Sequence, residues 1–107
     1  MRGDLVTVAL QGDLGKPRPA LVIQSDFFAG HASVCVLPIT SSCVDASLLR
    51  VDVLPSLENG LNKPSQVMID KPVTVARERL GPVFGRLEPA LQVLVDRLLA
   101  VFLGIAS

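Results

Sequence analysis

An arginine at position 18 stands between two prolines at the start of an apolar run. Pro17 fixes its own φ, and a residue that precedes proline is held in extended geometry, so Arg18 has little backbone freedom. A guanidinium held in place is suited to a phosphate, which it can bind through two parallel hydrogen bonds. An ordinary surface arginine, paired with Asp13 or another acid, is the alternative interpretation of this segment taken alone.

Three hydroxyl side chains, Thr40, Ser41 and Ser42, directly follow the apolar segment Leu37–Ile39. They are expected at the end of a strand, at the rim of a sheet, where binding sites tend to form. Hydroxyl groups there can donate hydrogen bonds to a phosphate oxygen. The same residue types are common in turns, so both interpretations stay open at this point.

A single aspartate, Asp70, closes a second apolar run and is followed by Lys71 and Pro72. A carboxylate at that position can accept a proton as a general base, or it can be an ordinary charged strand end. The lone histidine, His31, also has two interpretations, a general acid or an ordinary loop residue.

Composition sets limits on the class of protein. The chain has 107 residues, 50% of them hydrophobic and 19% charged, with a net charge of zero, which predicts one domain over residues 1–107. No apolar run is long enough for a membrane span, and the N-terminus lacks a signal-peptide core, so a cytoplasmic protein is expected. One histidine and two separate cysteines, Cys35 and Cys43, favour reduced thiols and predict no metal site and no cofactor.

The order of apolar segments predicts the elements that must position these groups. A loop is predicted at Gln11–Pro17, a helical turn capped by Ser25 is predicted at residues 25–28, and a helix is predicted to begin at Pro89 and end at Gly104. The fold class is therefore mainly β (α+β), a small curled sheet or barrel with a C-terminal helix. Strands are predicted at Leu5–Leu10, Ala20–Ile23, Val34–Ile39, Leu49–Val53, Gln66–Asp70 and Val83–Leu87.

The predicted helix has an unusually broad apolar side. Such a stripe favours burial against the sheet and against a second subunit, although a helix that only covers its own sheet is the alternative. The side consists of Leu91, Leu94, Val95, Leu98, Leu99, Val101 and Phe102.

Taken in order, these segments resemble the MazF/PemK (Kid) family of toxin endoribonucleases from type II toxin–antitoxin systems. The resemblance extends over nearly the whole chain and depends on the ordered set, since no single motif is specific. The matching segments are Arg2–Asp4, Arg18–Ile23, Leu37–Ser41, Asp70–Pro72, Arg79–Gly81 and Pro89–Leu103.

The resemblance implies an SH3-like, CcdB-like barrel that works as a homodimer, is inhibited by a MazE/PemI-like antitoxin, and cleaves single-stranded RNA without a metal. Its products are expected to carry a 2′,3′-cyclic phosphate and a 5′-hydroxyl. By the same resemblance Arg18 and Thr40 are the catalytic arginine and threonine, and Asp70 is the base. The residues expected to contact RNA are Lys16, Ser41, Ser42, Lys71 and Phe27.

Some positions depart from the family pattern. Met68 and Val73 stand where members of the family have arginines, and the loop Gln11–Pro17 is short, so sequence specificity cannot be transferred. Two other functions remain open, a CcdB-like DNA gyrase poison of the same fold and a catalytically decayed antitoxin-binding module. Without Trp or Tyr, base stacking depends on one of four phenylalanines, namely Phe27, Phe28, Phe84 and Phe102, the last of which is expected in the core.

Overall fold

The computed structural model of the protein describes residues 1–9 and 16–107. Most of the predicted loop Gln11–Pro17, the last residue of the first predicted strand and Asp13 lie outside the described residues. The described part contains strands β1 (Asp4–Ala9), β2 (Pro17–Val22), β3 (Ser33–Thr40), β4 (Arg50–Val53), β5 (Ser65–Met68), β6 (Val73–Ala76) and β7 (Leu80–Arg86), helix α1 (Pro89–Phe102), and short 3-10 turns at Asp26–Phe28 and Arg77–Arg79.

The predicted fold class, mainly β with one C-terminal helix, is confirmed. Helix α1 begins at Pro89, and Gly104 follows its end with a φ of 78°, a left-handed conformation that suits glycine. The predicted cap at Ser25 is also present, since its hydroxyl accepts from Phe27 N at 3.1 Å.

Several strand bounds differ from the prediction, and one strand was missed. Strand β2 begins at Pro17 and not at Ala20, and β7 begins at Leu80 and not at Val83. Strand β5 ends at Met68, so Asp70 lies in a turn instead of in the strand. Strand β6, Val73–Ala76, was not predicted, because its short run follows Pro72 directly and has no local signal apart from two valines. Its stability comes from pairing with the first half of β3, a contact between residues about forty positions apart.

The strands form a continuous antiparallel sheet in the order β4-β5-β3-β2-β1-β7. Strand β3 is central to the sheet, because it pairs with β2 along one side and with both β6 and β5 along the other. Val51 and Val53 from one edge strand, β4, share a hydrophobic cluster with Leu5 of β1 and with Leu87, which follows the other edge strand, β7. The sheet must therefore curl so that its two edges approach each other, as in a small barrel.

Alternate residues of the central strands enter two different cores. Leu5, Leu21 and Leu37 pack inside the curl together with Val95 of α1. Their neighbours point to the opposite face, which is covered by Val73, Val75 and Leu80. Burial on both faces explains why these strands are continuously apolar in the sequence.

Helix α1 is covered by the sheet on one side only. Val95 is its single fully buried residue, whereas Leu94, Val101 and Phe102 are exposed, and the expected core position of Phe102 is therefore wrong. The helix is held by Arg2, whose guanidinium donates to Asp96 at 2.6 Å and to the carbonyl oxygen of Ile23 at 2.9 Å. Within residues 1–9 and 16–107, no helix has both the length and the apolar character needed to cross a membrane.

Candidate active site

A cleft of ≈ 740 Å³ opens where β2 begins and β3 ends, and its volume is within the usual range of ligand pockets. Arg18, Thr40, Ser41 and Ser42 all line it, so the structure brings together the arginine and the hydroxyl groups singled out in the sequence. The other lining residues are Thr7, Pro19, Pro38, Ile39, Gly60, Leu61, Asn62, Lys63, Ser65, Met68 and Phe84.

Strand register explains why Arg18 and Thr40 share the cleft. Ala20 of β2 lies opposite Pro38 of β3 in an antiparallel pair. Arg18 precedes Ala20 by two residues and Thr40 follows Pro38 by two, so both lie towards the same end of this pair of strands. A guanidinium and a hydroxyl therefore line the same cleft.

The cleft has a local charge that the whole molecule lacks. Arg18 and Lys63 are cationic, and no carboxylate is among the described residues that line the cleft. The protein as a whole has a net charge of zero. Because a low-dielectric cleft concentrates the field of its charges, this arrangement attracts a polyanion locally.

The hydroxyl segment is ordered by its own hydrogen bonds. Thr40 Oγ1 accepts from Ser42 N at 3.0 Å, which leaves the threonine hydrogen available for donation into the cleft. The Ser41 and Ser42 side chains are exposed at the rim. The segment therefore forms a turn and also lines the cleft, so the two interpretations of its hydroxyl groups are compatible.

Gln66 fixes the chain that follows the hydroxyl groups. It lies opposite Thr40 in β5, is only 5% exposed, and receives a hydrogen bond from Val44 N at 3.0 Å. Its amide nitrogen donates to Val44 O at 2.9 Å and to Asp52 Oδ1 at 2.8 Å. The local sequence pattern predicts only a strand at Gln66, because it carries no sign of a contact with a residue 22 positions away.

The opposite wall of the cleft is the loop after β4, and a buried asparagine holds it together. Asn59 is 0% exposed, and its oxygen accepts from Ser56 N at 3.1 Å and from Leu61 N at 3.0 Å. Its nitrogen donates to Leu54 O at 2.8 Å and to the carboxylate of Glu88, the residue just before α1, at 3.2 Å. Every polar atom of the side chain is thus satisfied, which gives the loop one conformation.

Two glycines let this loop lie directly on β7. Gly60 has a φ of 70°, and a Cβ there would lie 2.5 Å from Phe84 O. A Cβ at Gly85 would lie 2.1 Å from Asn59 O. Backbone packs against backbone at both places, so Phe84 is brought to the edge of the cleft beside Gly60.

Asp70 and Lys71 do not line the cleft. Met68, the last residue of β5, does line it, and Asp70 follows in the turn between β5 and β6. Asp70 Oδ2 is 4.0 Å from Lys71 Nζ, and its other oxygen is buried without a hydrogen-bond partner in the described part of the chain.

Phe27 lies at the far end of β3 from Thr40. Its turn precedes Ser33, the first residue of the strand, whereas Thr40 is the last, and seven residues of strand span roughly 23 Å. The Phe27 side chain is 87% exposed and meets Phe28 edge to face, with the ring centroids 5.1 Å apart. His31 is exposed in the same loop.

Lys16 is exposed immediately before β2 and is not among the residues that line the cleft. No group of three or more histidine, cysteine or acidic side chains in residues 1–9 and 16–107 is arranged to hold a metal ion. Burial raises the pKa of the Cys35 thiol in β3, while Cys43 is exposed beside the hydroxyl segment, and both are free cysteines.

Known proteins are similar to this chain over nearly its whole length. Residues 1–103 match the model of a family described as PemK-like, MazF-like toxin of type II toxin–antitoxin system. The chain is 50% identical to the "Probable endoribonuclease MazF" of Mycolicibacterium smegmatis over 107 residues, 99% of this chain and 98% of that protein.

Solved structures with the same fold include the Mycobacterium tuberculosis toxin MazF-mt6 (TM-score 0.82, 24% identity, covering 97% of this chain and 99% of that one). Another is an endoribonuclease in complex with its cognate antitoxin from a mycobacterial species (TM-score 0.84, 23% identity, covering 100% and 97%).

Proposed function

Because the chain belongs to the PemK-like, MazF-like toxin family of type II toxin–antitoxin systems, we propose that it is an endoribonuclease that cleaves single-stranded RNA at the cleft bordered by Arg18 and Thr40. The main support is that both residues line one cleft, whose described lining includes the cations of Arg18 and Lys63 and no carboxylate. The high identity to a relative named as a probable endoribonuclease also supports the activity.

The reaction needs no nucleophile from the protein. The substrate's own 2′-oxygen attacks the adjacent phosphorus, the bond from phosphorus to the 5′-oxygen breaks, and a 2′,3′-cyclic phosphate and a 5′-hydroxyl result. One proton leaves the 2′-hydroxyl and one reaches the departing oxygen. Because attacking and attacked atoms belong to the same nucleotide, proximity is already provided, and the protein must mainly orient and stabilise charge.

Arg18 is suited to the charge that develops on the phosphorane oxygens, since its fork can donate two hydrogen bonds. The Thr40 hydroxyl donates its hydrogen to a phosphoryl oxygen. Ser41 and Ser42 contact the neighbouring sugar–phosphate backbone of the RNA. Lys16, which precedes the arginine strand, contributes positive charge on the approach to the cleft.

The base role of Asp70 stays a prediction, together with RNA contacts from Lys71 and Phe27. If Asp70 takes the proton, Asp70→Asn lowers kcat by about 10²-fold or more. An unchanged kcat would assign the base elsewhere. Measuring kcat separately from KM distinguishes a loss of proton transfer from a loss of RNA binding.

The proposed activity is tested by incubating the purified protein with a long single-stranded RNA in EDTA and mapping both ends at each cut. We expect cleavage that resists chelation, with cyclic phosphate and 5′-hydroxyl ends. Intact RNA, together with tight antitoxin binding, would instead indicate a decayed binding module. Intact RNA with trapped gyrase–DNA complexes would indicate a gyrase poison.

We further propose a homodimer, a cognate antitoxin of the MazE/PemI type, and action on mRNA in the cytoplasm. The homodimer is supported by the apolar side of α1, which the protein's own sheet leaves exposed. An antitoxin segment that folds on binding could occupy the same positively charged cleft as RNA and so block it.

A further inference from the structure

We propose that Phe84 and Asn62 form a nucleobase subsite in the cleft, in which one base of single-stranded RNA stacks on the Phe84 ring and its edge meets the Asn62 carboxamide. The inference rests on the proposed function, since it concerns the same cleft. It assigns the wall opposite Arg18 to base recognition, whereas the wall of Arg18 and Thr40 binds phosphate.

Position in the fold separates Phe84 from the other aromatic side chains. The chain has four phenylalanines and no tryptophan or tyrosine. Phe27 and Phe28 lie in the turn before β3, and Phe102 lies on the last turn of α1, whereas Phe84 lines the cleft. Stacking on aromatic side chains is the common way in which proteins hold unpaired bases.

The ring of Phe84 is supported from behind. Its Cδ1 lies 3.1 Å from the place where a Cβ at Gly60 would stand, and the side chain also packs against the inner core. A ring that is packed on one side and borders a cleft on the other loses little freedom when a base stacks on it. Less of the stacking free energy is therefore spent on ordering the side chain.

Asn62 offers a carboxamide on the wall of the cleft. It is exposed, lines the cleft, and lies three residues after the fully buried Asn59 that braces this wall. A carboxamide has both donors and an acceptor, which is the pattern that reads a base edge. The adjacent Lys63 also lines the cleft and supplies a cation for the flanking phosphate.

A binding experiment tests the subsite without relying on cleavage. Single strands with 2′-deoxyribose cannot be cut by 2′-oxygen attack, so equilibrium binding can be measured on a mixed-sequence strand and on a fully abasic strand of equal length. We expect Phe84→Leu to bind the base-containing strand about tenfold more weakly than the wild type, as loss of one stacking contact implies. On the abasic strand the two proteins should bind equally.

Three further variants complete the design. Phe28→Leu, the matched control at an exposed phenylalanine outside the cleft, should bind both strands as the wild type does, and Lys63→Ala should weaken binding to both strands by the same factor. Asn62→Ala, a change at an exposed position, should bind the base-containing strand more weakly and the abasic strand normally, which keeps the test decisive if Phe84→Leu unfolds. Melting curves for each variant identify that case.

The inference fails if folded Phe84→Leu and Asn62→Ala both retain wild-type affinity for the base-containing strand, or if both lose affinity equally for the two strands. It also fails if the wild type binds the abasic strand as tightly as the other. The proposed endoribonuclease activity is judged separately, by the EDTA cleavage assay. Wild-type cleavage combined with unchanged binding by both variants would remove the subsite alone.

Discussion

The proposed chemistry depends on two side chains, those of Arg18 and Thr40, that are 22 positions apart in the sequence and line the same cleft. Arg18 is held extended by its flanking prolines, and Thr40 is held by the bond from Ser42 N to its hydroxyl oxygen. Both groups are therefore oriented before any substrate arrives. Pre-oriented donors in a cleft stabilise developing charge better than groups that must first be ordered.

Arg18→Ala should abolish RNA cleavage while the protein stays folded. Loss of a charge-stabilising group costs about 10²–10³ in rate, and Arg18 is exposed, so its truncation opens no cavity in the core. Arg18→Lys should recover only a small part of the activity, because an ammonium cannot donate two parallel hydrogen bonds. The measurement is initial cleavage rate together with melting temperature, with the exposed Arg97→Ala as control. Wild-type cleavage by folded Arg18→Ala would remove the mechanism.

The two cysteines should differ in their rate of alkylation. Burial raises the pKa of the Cys35 thiol, so at any pH below that value a smaller fraction is thiolate, whereas Cys43 is exposed. Thiolate is the reactive form, and we expect iodoacetamide to label Cys43 first. Mass spectrometry of a time course checks this, and Cys43→Ser should remove the fast phase. Equal rates at both thiols would contradict the burial of Cys35.

At the scale of elements, β3 determines where the functional groups lie. Its last residue carries the Thr40 hydroxyl to the cleft, while its first residue follows the turn that holds Phe27. The two sides of the cleft are then fixed by side chains from elsewhere, Gln66 for the hydroxyl segment and Asn59 for the opposite loop. Neither of these residues needs to touch substrate, and both act as positioning residues.

Gln66→Met should lower the cleavage rate by about tenfold or more without a matching loss of stability. The substitution keeps the shape of the side chain but removes its three hydrogen bonds to Val44 and Asp52. Small displacements of a catalytic group can cost about 10²-fold in rate. A purely structural role would change only stability, so the distinguishing measurement is the cleavage rate at an unchanged melting temperature, and faster amide hydrogen exchange at Val44 would show that the segment has been released. Gln92→Met on α1 is the matched control, and normal exchange with normal cleavage in Gln66→Met would refute the role.

Gly85→Ala should destabilise the fold by about 1–3 kcal/mol, because its Cβ would overlap a backbone carbonyl that has no room to move. The same substitution at Gly30, where nothing lies within 4 Å of the added atom, should leave stability nearly unchanged. Urea unfolding of both variants makes the comparison. Equal midpoints would mean that the loop after β4 does not pack on β7 as described.

At the scale of the whole molecule, local patterns predicted most of the elements, and they singled out the arginine and hydroxyl residues that line one cleft. Apolar runs predicted the principal strands, and Pro89 and Gly104 predicted the ends of α1. Long-range pairing explains the failures: β6 exists because β3 offers a partner, and Asp70 falls in a turn because β5 ends at Met68. The position of Phe84 beside the cleft likewise depends on contacts with a loop far away in the sequence.

The exposed side of α1 leads to the last prediction. Leu94, Val101 and Phe102 are exposed on a helix whose opposite side packs on the sheet, and apolar groups gathered in this way usually mark an interface. We expect light scattering to give the mass of a dimer for the wild type and of a monomer for Phe102→Asp, because a charge buried at an interface without a partner is costly. Arg97→Asp, on the polar side of the same helix, should remain dimeric. A wild-type protein that is monomeric at micromolar concentration would show that the apolar side of α1 binds another partner. The antitoxin would then be the first partner to test for binding to this side of the helix.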